Sequence, residues 1–152
     1  MKSQNSICWL RRDLRLRDHR SLYESCHESN FVYIVFIFDT QILKDLKKND
    51  RRISHLVGHI KSLKNELMAL NKDIILLKGN PVDLIPELCH KLDCRAVYTN
   101  EDYEPYAKKR DLAVFNKLKE HEISFYSYKD QVIFSGQEIV KGNQTPYKVF
   151  TP

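Results

Sequence analysis

The chain has 152 residues, 42% of them hydrophobic and 30% charged, with a net charge of +5. That length and apolar content suit one domain with a real core. No apolar stretch reaches the roughly 18 residues that a membrane span needs; the longest, FVYIVFIF (31–38), suits a buried strand. The opening MKSQNSICWLRR lacks a secretory pattern, because its apolar part is short and charge follows it, so an intracellular, cytoplasmic location is expected. A pI near 9.0 permits an anionic partner, nucleic acid or a phosphorylated ligand, without requiring one. Cys8, Cys26, Cys89 and Cys94 form no CxxC pair, and Cys89-His90 with Cys94 lacks a second ligand pair for zinc. They read as reduced core or near-surface thiols.

Apolar, β-prone runs predict strands over 6–10, 31–38, 74–77, 95–99 and 123–128. They show little alternation, as strands covered on both faces do. Helices fall between them. A short one over 19–28 is expected to bury Leu22, Tyr23 and Cys26. The next, over 53–70, carries apolar residues at 53, 56, 57, 60, 63, 67 and 70. Asn80 caps a third, with Pro81 at its first position and Ile85, Leu88, Cys89 and Leu92 on its core face. Pro105 opens the fourth, with Leu112, Phe115 and Leu118 inward. The order β-α-β-α-β-α-β-α-β with right-handed crossovers gives an open, doubly wound parallel sheet of about five strands, helices on both faces. Residues 129–152 lack helical period and read as an extended strap after a domain over 1–128, with a turn at 142–146. The end on Thr151-Pro152 is expected to be a cut.

Ligands of open α/β sheets bind beyond the carboxyl ends of the strands. This sequence places Arg11, Arg12 and Asp13 there after strand 1, and Asp39 with the loop QILKDLKKNDRR after strand 2. Lys78 and Gly79 follow strand 3, and NEDYE (100–104) follows strand 4. Asp39 also suits a turn or a helix cap. Gly58, Gly79, Gly136 and Gly142 make neither GxGxxG nor a P-loop, and no GxSxG elbow occurs. His55 and His59 stand four apart on a helix, with no third ligand to complete a metal set; His59 reads as a surface or boundary residue. Tyr103 and Tyr106, beside the rim, are placed to stack on a planar ring. No pair of residues makes a general acid and base, so no catalytic residue is assigned.

CWLRRDLRLRDHRSL (8–22), AVYTNEDYEPYAKKRD (96–111) and PYKVFTP (146–152) together resemble the DNA photolyase/cryptochrome family, in order and spacing. The resemblance implies a Rossmann-like α/β domain that binds a light-harvesting chromophore in its cleft. It also implies that FAD and the groove for UV-damaged DNA belong to a helical C-terminal half, which this sequence lacks. In the family, light-excited reduced FAD donates an electron that splits a pyrimidine dimer. The site residues implied are Arg11 or Arg12, Asp39, Ile42 with Leu43, Arg51 or Arg52, Asn100, Asp102 and Glu104. Folate-type members carry Asn-Glu where this chain has Tyr106-Ala107. FDTQIL (38–43) and NEDYEPY (100–106) look more like deazaflavin-type members, and FMN suits the same pocket. His19 stands where most members have Asn, which is expected to matter only to the helix start. A signalling cryptochrome domain, or a stand-alone nucleotide-binding protein of the same architecture, are the other readings.

Overall fold

The computed structural model describes residues 5–47, 49–134 and 138–145. Five parallel strands form one sheet in the order β3-β2-β1-β4-β5, from β1 (Asn5–Leu10), β2 (Phe31–Asp39), β3 (Ile75–Gly79), β4 (Cys94–Asn100) and β5 (Ser124–Tyr128). The connecting helices are α1 (Arg20–Glu28), α2 (Thr40–Leu43), α3 (Arg51–Ala69), α4 (Pro81–Lys91) and α5 (Pro105–Glu120). The chain winds outward from β1 to one edge, then returns to add β4 and β5 on the other side. The order reverses between β1 and β4, the place where such sheets open a crevice. There the ladder ends at Cys8–Tyr98, and the Trp9 carbonyl accepts from the Thr99 hydroxyl at 3.0 Å.

Alternation along each strand divides the interior into two cores. Ile7, Trp9, Val35, Ile37 and Val97 face Ile85, Leu88 and Cys89 of α4 and Val114 and Leu118 of α5. Cys8, Leu10 and Phe36 face Ile60, Leu63 and Leu67 of α3, with Ile74 completing that layer. Each fully buried aliphatic side chain here contributes about 1.5–3 kcal/mol. Sequence-local chemistry starts the helices. Asp39, Asp50 and Asn80 each accept a backbone N–H two residues on, and His19 accepts from Leu22 N–H. Pro81 and Pro105 fill first-turn positions that need no donor.

Three packing expectations are corrected. Helix α1 buries Ser21 and Ser25, while Tyr23 is 63% exposed and Cys26 is exposed. The small hydroxyl face lets the helix lie close on the sheet: Ser21 Oγ meets Cys8 Sγ at 3.8 Å, and Ser25 Oγ donates to the Leu22 carbonyl at 2.9 Å. On α5 the inward stripe is Ala107, Arg110, Val114 and Leu118, which leaves Leu112 and Phe115 exposed. Leu70 caps α3 from outside the core and is exposed as well. The short helix α2 lies in a segment expected as loop. After Tyr128 the described residues hold neither helix nor strand, and a turn closes with Gln144 N–H on the Lys141 carbonyl. Gly136, Pro146 and the motif at 146–152 lie outside the described residues.

Candidate functional site

The carboxyl ends of β1 and β2, the helix α2, the first half of α3 and the start of α5 enclose a cleft of about 1080 Å³. Trp9, Phe36, Phe38, Ile42, Leu43, Leu46, Ile53 and Leu56 make its apolar walls. Its charged lining is near balance, with Arg11, Arg12, Arg15, Arg52 and Arg110 against Asp13, Asp39, Asp102 and Glu104. Apolar walls with a few converging polar groups, at this size, are the usual form of a small-molecule site.

One buried network forms the wall nearest the switch point. Arg11 donates from its guanidinium to Asp111 and to the Asn100 carbonyl, and its backbone N–H donates to Asp13 Oδ1 at 2.8 Å. Arg110 donates to Asp111 Oδ1 at 2.9 and 3.0 Å and lies 3.7 Å from Asp39 Oδ2. The same Asp39 oxygen accepts the Tyr106 hydroxyl at 2.7 Å, and the other caps α2 through Gln41 N–H. Burial first, then the bond to Asp39, pushes the Tyr106 phenol up to about 12, so it stays a donor. The Arg11 and Arg110 guanidinium carbons each stand 4.9 Å from the Trp9 ring centroid.

A second cluster pins the loop behind that wall. Asp13 Oδ2 meets His19 Nε2 at 3.0 Å and accepts from Asn100 Nδ2 at 2.8 Å, while Asn100 Oδ1 accepts from Ser21 N–H at 3.0 Å. Burial raises the Asp13 pKa, but the His19 contact and the Arg11 N–H outweigh it and the net shift is downward. His19 therefore holds the loop as well as starting the helix, which enlarges the role expected for it. Arg15 completes the pinning. It grips the Asp18 carbonyl at 2.6 Å and Asp130 at 2.7 and 2.8 Å, tying the loop after β1 to the segment after β5.

Of the residues singled out from sequence, Arg11, Arg12, Asp39, Ile42, Leu43, Arg52, Asp102 and Glu104 come together at the cleft. Arg12 spans toward Asp102 and Glu104 at 3.7 and 3.6 Å. Arg52 is held by Asp50 at 2.7 Å. Asn100 and Arg51 do not line the cleft. Asn100 is the last residue of β4 and points to the α1 side, where it is spent on Ser21 and Asp13. Arg51 sits in the exposed first turn of α3. Tyr106 lines the cleft, whereas Tyr103 lines a separate groove beside α5. Sequence reasoning missed Trp9, Arg110, His55 and His59 as cleft residues. Two signals pointed to the last three: an arginine on the Ala107–Val114–Leu118 stripe, and two histidines one helical turn apart.

The sequence model of DNA photolyase matches residues 6–152. The chain belongs to the DNA photolyase family. It is 35% identical over 146 residues to a deoxyribodipyrimidine photo-lyase of Synechococcus, a match covering 96% of this chain and 30% of that protein. A cryptochrome-1 of Aedes aegypti is 28% identical, covering 91% of this chain and 27% of the relative. Among solved structures, the class III photolyase of Agrobacterium tumefaciens shares the fold, with a TM-score of 0.86 over 99% of this chain and 31% of its own, at 22% identity. The photolyase of Sulfolobus tokodaii, solved with two FAD molecules and taken to imply a novel light-harvesting cofactor, matches with a TM-score of 0.76 at 27% identity, over 88% of this chain and 32% of its own. The chain thus spans about a third of the length of these relatives.

Proposed function

We propose that this chain is the antenna-binding α/β domain of a deoxyribodipyrimidine photolyase, and that its cleft holds a flavin-like light-harvesting chromophore. One observation carries the reading: residues from five separate segments converge on an apolar cleft at the carboxyl edge of the sheet, with balanced charge. That balance suits a large planar ring of low net charge better than a polyphosphate. The Sulfolobus structure, with its second FAD, supports a flavin-type occupant.

Ile42, Leu43 and Phe38 would cover the faces of such a ring, and Asp39, Asp102, Glu104 and Arg12 would meet its amide edge and polar tail. When bound, the group supplies light absorption and passes the excitation to FAD held elsewhere in the full protein; the protein's share is position and environment. A deazaflavin is favoured, with FMN as the near alternative. A folate clamp is disfavoured, because Tyr106 is already spent on Asp39 and Ala107, though it lines the cleft, has no polar side chain to offer. Dimer splitting in UV-damaged DNA then belongs to the longer protein, through its helical FAD-binding part, and a cytoplasmic location goes with it.

Titration of the chain with a 5-deazaflavin, FMN, a folate and ATP tests this, followed by Trp9 emission and melting temperature. Tricyclic ligands are expected to raise the melting temperature, and Asp39→Ala or Asp102→Ala to weaken them. A response to ATP alone refutes the reading. A signalling cryptochrome is the second reading, favoured by the Aedes relative. Light-driven dimer repair by the longer protein separates the two; the 152-residue chain alone is expected to show none.

A further inference from the structure

Trp9 is the one tryptophan of the chain, is 1% exposed, and walls the cleft. That location raises a chemical problem for an antenna site. Indole is among the most readily oxidised side chains, and a light-excited flavin-like ring is a strong one-electron oxidant. An electron leaving Trp9 would leave an indole radical cation and land on the excited chromophore. Its return would restore both and release the excitation as heat. An antenna walled by tryptophan is therefore exposed to quenching.

The surroundings of Trp9 oppose that step. Two guanidinium carbons lie 4.9 Å from its ring centroid. A cation at that range is attracted to the neutral ring and repelled by the radical cation. Both arginines are buried and pair with Asp111, and Arg110 also faces Asp39 at 3.7 Å, so the two cations are matched by two carboxylates, and the charges found over the ring itself are the two guanidiniums. Deleting the Arg110 charge would leave Asp111 and Asp39 facing Arg11 alone, so the neighbourhood of the ring would turn net negative. Water, which would screen the charges, is kept out by the same burial.

We propose that Arg11 and Arg110 are positioning residues that raise the oxidation potential of Trp9, so that an aromatic wall can line the light-harvesting cleft without quenching its occupant. This rests on the antenna reading above, and two measurements keep the two claims apart. The first uses the unloaded chain. Square-wave voltammetry, with Trp9→Phe to identify the tryptophan wave, is expected to place Trp9 above free N-acetyltryptophanamide, with the wave falling in Arg110→Gln and holding in Arg110→Lys. A Trp9 wave at or below the free value overturns the proposal whether or not any chromophore binds. The second uses the chain loaded with FMN. Its fluorescence lifetime is expected to be the same in wild type and Trp9→Phe, and several-fold shorter in Arg110→Gln. In the double variant Trp9→Phe/Arg110→Gln the shortening should vanish. A several-fold longer lifetime in Trp9→Phe than in wild type overturns the proposal, and that comparison does not depend on the folding of any arginine variant. Failure of FMN and deazaflavin to bind at all overturns the antenna reading, and leaves the voltammetry to decide the role of the arginines.

Discussion

Arg110→Met keeps the bulk of the side chain and deletes its charge, which makes it a direct test of the buried network. Arg110 is 7% exposed, gives two hydrogen bonds to Asp111 and faces Asp39, Trp9 and Tyr106. Removing one partner of a buried ion pair costs about 3–5 kcal/mol, because the other charge stays buried without compensation. Here Asp111 keeps Arg11, and Asp39 keeps the Tyr106 hydroxyl, so the lower end, about 3 kcal/mol, is expected. For a domain of this size that corresponds to a fall in melting temperature of roughly 6–12 °C. Circular dichroism and Trp9 emission should report the same transition. Adding Asp39→Asn to Arg110→Met should restore part of the loss, since the carboxylate left without its cation is gone. A loss below about 1 kcal/mol in Arg110→Met, with no recovery in the double variant, would show that the carboxylates find other partners and that the network is not held by Arg110.

Tyr106→Phe removes the donor to Asp39 and should cost about 1 kcal/mol in urea unfolding. Because the folded phenol is raised to about 12 from 10.0, its contribution is full below pH 10 and lost as pH climbs toward 12; the variant should show a shallower alkaline loss of stability. Asp13 has the opposite sign. Its lowered pKa contributes stability above the ordinary value of 3.8 that is lost as pH falls further, so Asp13→Asn should flatten the acid limb of the urea midpoint against pH. Burial pushes the Cys8, Cys89 and Cys94 thiols up to about 12, whereas Cys26 is exposed, so brief iodoacetamide treatment followed by mass spectrometry should find one label on native protein and four after unfolding.

The strands were legible because a parallel sheet buries both faces, so FVYIVFIF and SICWL read as unbroken apolar runs. The rim was legible for the same reason: once the order of elements is known, topology assigns the residues that follow each strand to one edge. Which of those residues face the cleft is a finer matter. Strand alternation turns Asn100 to the α1 side together with Tyr98, a conclusion that period two along β4 already contained. Arg51 and Arg52 are neighbours, yet helical geometry gives the cleft only to the second. Arg110 was hidden more deeply. Its apolar stripe marks it as buried, but its partners Asp39 and Trp9 lie far away in sequence, and local pattern cannot pair charges across that distance. The serine face of α1 defeats hydrophobic periodicity outright, because what is buried there is close approach of backbone and not apolar area.

The central place of β1 has a consequence for how the chain reaches this structure. β1 can pair with β2 once the first 39 residues exist, but its other neighbour, β4, ends only at Asn100. The Arg11–Asp111 pair closes a loop of 100 positions. During synthesis the first strand must therefore wait, one edge open, until the chain has been made as far as Asn100. Folding should be slow for the domain's size, as it is wherever distant segments must meet first. The arrival of α5 over Trp9, which brings β5 to β4, is then a late event, and the emission of that single indole becomes a clock for it.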